Sequence, residues 1–149
     1  SNLEFNYNID MKEQTLREKQ EAFINDTVAY YSADPAARRN FVPDRGCFYK
    51  AVRPSSEGCA IGRHLTEDLC TELDCIDDNY TTDDGTGVNN TDVFNKLPAR
   101  LRKLTQQFLT DMQQMHDHNV YWVGEGFEQR RENYLRTIRA RLDREALKQ

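Results

Sequence analysis

Hydrophobic positions recur at helical spacing in three stretches of the chain. Over 12–32, Leu16, Phe23, Val28 and Tyr31 lie close to one helical face, with Glu13, Arg17, Glu18 and Glu21 elsewhere. Asp10 followed by Glu13 has capping-box spacing, and Asp34-Pro35 closes the segment. The clearest stripe is Leu101, Leu104, Phe108, Met112 and Met115, at intervals of three, four, four and three. Pro98 suits a first helical position, so one helix is expected over 98–118. Phe127, Tyr134, Leu135, Ile138 and Leu142 mark a last helix over 127–147, with Glu128–Arg131 and Glu132–Arg136 as supporting ion pairs.

The stretches between follow other patterns. Residues 33–46 contain Pro35, Pro43 and Gly46 and read as a loop. Residues 47–52 are β-rich, 54–58 form a turn and 59–61 return, which predicts a small hairpin. Thr66 is the expected N-cap of a brief helix over 67–73, with acids in its first turn. Residues 74–91 are almost all Asp, Asn, Thr and Gly and predict a long acidic loop, followed by one helical turn over 92–95. The expected organisation is a flexible arm over 1–11 and a single helical domain over 12–149. Its fold class is mainly α (α+β), a small helical bundle with a short β-hairpin insertion. The last two helices should form an antiparallel hairpin around a connector holding Trp122. The Leu/Met stripe then serves either as core or as a homo-oligomer interface formed by helices 98–118 and 127–147.

Length and composition narrow the classes. A chain of 149 residues is one domain's worth, and no apolar run is long enough for a membrane span, so no membrane partner is expected. No basic, apolar leader opens the sequence, which gives the expectation of a cytoplasmic protein. A net charge of −5 and a pI near 5.2 argue against general DNA coating. The charge is uneven: residues 35–64 carry six bases and two acids, whereas 65–95 carry nine acids and no base. Cys47, Cys59, Cys70 and Cys75 are too sparse for a disulfide scaffold and contain no Cys-x-x-Cys pair. Reduced, mostly buried thiols are expected, and no cofactor or metal.

Three groups of residues bear chemistry. Cys59 lies between Gly58 and Gly62 and qualifies as a weak nucleophile candidate; packing in a tight turn accounts for it equally well. His116-Asp117, with His118 beyond, suggests an acid–base pair or metal ligands, but three histidines in all are too few for a His-Asp phosphohydrolase. A favourable helix-end charge is the simpler account. The Asp83–Gly87 stretch lacks the ligand alternation of a calcium loop. Arg38, Arg39, Arg45, Lys50, Arg53, Arg63 and His64 crowd into 27 positions, with Tyr49, Phe41 and Phe48 among them. Guanidinium forks suit phosphates and aromatic faces suit bases, so these are the candidate ligand-binding residues if they converge. If they do not, they are solvated charges paired with the acids of 65–95.

Cys47-x-Tyr49, Gly58-Cys59-Ala60-Ile61-Gly62-Arg63-His64-Leu65, His116-Asp117 and Trp122 together resemble a pattern in small uncharacterised proteins of tailed phages and prophages. The resemblance spans residues 45–140. It implies a phage-type protein in the bacterial host cytoplasm that interferes with host machinery or host defence, and it carries no assigned activity. The expected function is therefore non-enzymatic: sequestration of a small phosphorylated or nucleotide ligand. A direct inhibitor of a host protein and a Cys- or His-dependent hydrolase are the alternatives.

Overall fold

Thr15 and Glu18 start the first long helix by capping each other. The Thr15 hydroxyl accepts the Glu18 N–H, and the Glu18 carboxylate accepts the Thr15 N–H. The computed structural model describes residues 13–43, 46–76 and 87–148, and in it α1 runs Leu16–Ala33. The helix thus begins four residues later than its periodicity predicted. Glu13 and Gln14 are not helical, and the predicted cap Asp10 lies outside the described residues, as do the arm 1–11 and most of the acidic loop.

Asp34 then caps a short α2 (Pro35–Arg38), inside the stretch read as loop. The hairpin exists but sits earlier than expected. Strand β1 (Phe41–Val42) pairs antiparallel with β2 (Gly46–Cys47), Phe41 opposite Cys47. Residues 48–61, assigned to strands and a turn from their β-rich composition, are irregular; Gly62–His64 makes a 3-10 turn. Thr66 caps α3 (Glu67–Asp74) as expected. Asn90 caps α4 (Thr91–Lys96).

The helix expected over 98–118 is broken. Ala99–Arg102 forms α5 and Gln106–Asp117 forms α6, with Thr105 at φ +84 between them. A β-branched residue pays heavily for that conformation. Two bonds hold it: the Thr105 hydroxyl accepts the Phe108 N–H at 3.4 Å, and the freed Leu104 carbonyl accepts from Gln20 Nε2 at 3.0 Å. After a 3-10 turn (Asn119–Tyr121), the last helix α7 runs Phe127–Ala146. The ion pairs predicted on α7 do not form. Arg131 stacks on Trp122 at 4.9 Å and donates to the Tyr121 carbonyl, while Arg136 bonds Asn133.

Contacts set the directions of the three long helices. Gln20, Phe23 and Tyr31 of α1 meet Leu104, Phe108 and His116 in the same order, so α1 and α6 run parallel. Arg17 and Glu21 meet Asp143 and Arg139 in reverse order, so α7 is antiparallel to α1. Tyr134 donates to the Asp111 carbonyl, and Arg141 pairs with the Asp111 carboxylate. The fold is mainly α, a small helical bundle with one short hairpin. Leu101, Leu104, Phe108, Met112 and Met115 are all buried with Phe23, Ile24, Leu135, Ile138 and Leu142. The stripe is spent inside the monomer, which leaves none of it for contact between copies. Among the described residues, no helix is long and apolar enough to cross a membrane.

Candidate functional site

The chemistry-bearing residues fall into two clusters. The first is buried. His116 has no exposure, and its Nε2 accepts the Asn40 N–H at 3.0 Å. That bond needs the Nε2 lone pair, so Nδ1 carries the proton and donates to Asp117 Oδ1 at 2.8 Å. Burial lowers the readiness of His116 to protonate, and the Asp117 bond opposes this without overcoming it. Burial and then the nearby Asp117 charge push the Cys47 thiol far above the ordinary thiol range. Arg39 donates to the His116 carbonyl at 2.8 Å and to Asn119 Oδ1 at 2.7 Å.

Ligand atoms of Cys47, His116 and Asp117 lie within 4.8 Å of one another, which is the geometry of a candidate metal centre. The tautomer argues against that use. A metal on Nδ1 requires a proton on Nε2, aimed at another N–H; a metal on Nε2 displaces the Asn40 bond. Asn40, His116 and Asp117 form a satisfied hydrogen-bond network.

Asn40 is its hub, and nothing in the sequence signalled it. Its side chain donates to the Phe48 and Lys50 carbonyls at 2.5 and 2.6 Å and accepts the Val52 N–H at 2.8 Å. Asp74 takes the next N–H groups, those of Tyr49 and Lys50. The Gly-Cys-Ala-Ile-Gly turn wraps around Tyr49. A Cβ on Gly58 or Gly62 would stand 2.4 or 2.0 Å from the Tyr49 carbonyl oxygen. Tyr31 then donates to the Gly58 carbonyl at 2.6 Å and packs edge-on against His116 and Trp122. Trp122 Nε1 donates to the Met115 carbonyl. Apart from Arg63, His64 and Leu65, the residues that carried the phage-type pattern thus meet in one polar and aromatic knot.

Cys59 lies inside that knot. Its Sγ accepts the Gly62 N–H at 3.3 Å, and burial pushes its thiol up to about 12. A nucleophile needs the opposite shift, so its geometry matches packing. Cys70 is buried as well, Cys75 is exposed, and all four thiols are free.

The second cluster is only partly buried. Tyr30 of α1 is the platform. Its hydroxyl accepts the Glu57 N–H at 2.9 Å and contacts the Ser55 carbonyl. The Arg63 guanidinium lies 4.1 Å from the Tyr30 ring centre, and that of Arg38 lies 4.8 Å away. Arg63 pairs with Asp26 at 2.5 Å and with Glu57 at 3.4 Å. His64 packs tilted against Phe23, ring centres 4.9 Å apart, and Arg100 of α5 donates to its carbonyl at 2.6 Å. Burial, then the Arg63 charge, lowers the readiness of His64 to protonate. Asp26 and Glu57, half-exposed or more, are the groups an incoming anion would displace.

Of the eight ligand-binding candidates, three meet here: Arg38, Arg63 and His64. The others go elsewhere. Arg39 and Tyr49 are buried. Arg53 spends its guanidinium on the Phe41 and Ala36 carbonyls. Lys50 pairs with Glu67. Arg45 lies outside the described residues. Sequence proximity misled because adjacent residues of an irregular segment point apart. Tyr30, Asp26 and Arg100 were missed because they arrive from other elements. No family model, curated protein or solved structure matches this chain.

Proposed function

We propose that this is a non-enzymatic, phage-type binding protein that antagonises a host bacterial process, host defence above all, by sequestering a small phosphorylated or nucleotide ligand. The observation that carries the reading is the stacking of two guanidiniums, Arg38 and Arg63, on the single ring of Tyr30, with Arg100 alongside. Guanidinium forks bind phosphate oxygens bidentately, and stacked planes accept a nucleobase. The non-enzymatic part is supported by the internal bonding of Cys59 and of both His116 nitrogens. The phage setting rests on the sequence resemblance.

A direct host-protein contact is the second reading, favoured by the connector after α6. There Val120 and Val123 are about half exposed while Arg130 fixes the loop by donating to three of its carbonyls. A thermal-shift screen against mono-, cyclic and dinucleotides separates the two. At a ligand concentration of about 100 Kd, one nucleotide should stabilise the protein by ~2.7 kcal/mol. Arg63→Ala and Arg100→Ala should abolish the shift while keeping the helical circular-dichroism spectrum. Normal binding by both variants, or no shift with any compound, overturns the anion site.

A further inference from the structure

We propose that His116 is a pH-operated latch, holding residues 39–43 and 46–52 against α6 and releasing them when its imidazole takes up a second proton. The proposal stands apart from the anion-site reading. It rests on the opposite commitments of the two ring nitrogens: Nε2 accepts from Asn40 N–H and Nδ1 faces Asp117. A proton on Nε2 sets one N–H against another at hydrogen-bond distance. The ring has no exposure, so it either stays neutral or Asn40 moves.

Asn40 cannot move alone. The same residue holds the Phe48 and Lys50 carbonyls and the Val52 N–H. Losing the His116 contact therefore loosens the whole segment that carries the hairpin. The long-helix packing around Phe108, Leu135 and Ile138 contains no such bond and stays closed.

The groups around the ring set the balance. Asp117, on the same helix, favours the second proton, and Arg39, from the segment after α2, opposes it. Cys47 of β2 and Tyr31 of α1 face the ring uncharged, because burial pushes both upward. Asn119 of the connector, bonded by Arg39, adds no charge.

Amide hydrogen exchange on the intact wild-type chain, read residue by residue and corrected for intrinsic rates, tests this. Between pH 7 and 5 the protection of the Asn40 and Val52 amides should drop at least roughly tenfold, while that of Leu135 and Ile138 holds. Nitrogen NMR of His116 should show the Nδ1–H tautomer above the transition and a doubly protonated ring below it. Asp117→Asn keeps an acceptor but removes the charge, so it should move the transition to lower pH. His64→Asn should leave it in place. Loss of protection at Asn40 only together with α7, or a transition indifferent to Asp117→Asn, overturns the latch.

Discussion

Phe108, Leu109 and Met112 contribute to the three-helix core through buried area, whereas Asn40, Gly58 and Gly62 contribute to the 39–62 segment through position. Each buried core side chain is worth about 1.5–3 kcal/mol whatever its neighbours' exact chemistry, provided volume is kept. The 39–62 segment also buries Tyr49, Ala60 and Ile61, but at Asn40, Gly58 and Gly62 each contact is a single polar bond or close approach, so a substitution there leaves a buried group unpaired or a clash. The first region should tolerate conservative change and the second should not. The arginine cluster around Tyr30 sits where the 39–62 segment meets α1.

Substitutions graded by size sharpen the contrast. Gly62→Ala puts a Cβ 2.0 Å from the Tyr49 carbonyl oxygen, so we expect no folded protein by circular dichroism, a loss beyond ~5 kcal/mol. Gly46→Ala is its control: the backbone has φ +84 but no atom lies within 4 Å, so chemical denaturation should show a cost of only about 1 kcal/mol. An equal cost at both glycines breaks the comparison. In the core, Phe108→Ala should cost about 3–5 kcal/mol, but Phe108→Leu far less. Asn40→Ala strands two carbonyls and one N–H, and about 2–4 kcal/mol of lost stability is expected, with the Val52 amide newly open to exchange.

Acid should act in the same direction. His64 and His116 both protonate less readily when folded than when unfolded. Their contribution is complete above about pH 6.5 and declines as pH falls below it, by up to ~1.4 kcal/mol per pH unit for each histidine. A urea midpoint that is flat from pH 7 to 5 contradicts this. Asp26→Asn carries the smallest stability effect, under about 1 kcal/mol because Asp26 is half exposed, yet it leaves Arg63 with only its Glu57 ion pair and should tighten nucleotide binding measured by calorimetry.

Legibility from sequence divides along the same line. Leu101 to Met115, and Leu135, Ile138 and Leu142, announced the core because helical periodicity is a local property of the chain. Thr66 announced its helix because a cap acts within three residues. Thr105 hid the break in the longest predicted helix, since its conformation is held by Gln20, 85 residues away in sequence order, through the neighbouring Leu104 carbonyl. The hairpin's existence was readable, but its register was not. The bonds that place Phe48, Lys50 and Val52 come from Asn40, which looks like an ordinary polar residue.

By itself, then, the sequence determined the mainly α class, three of the helices and their buried faces, because apolar periodicity and capping act over one or two turns. Only the tertiary structure decided which arginines share a surface, which of two tautomers His116 adopts, and why two glycines flank Cys59. Those outcomes depend on contacts between separate elements, such as Asn40 with His116, Tyr31 with Gly58 and the Tyr49 carbonyl with Gly62. No local pattern encodes the partner of a lone polar group, because any buried donor can donate to whichever carbonyl the fold brings within reach.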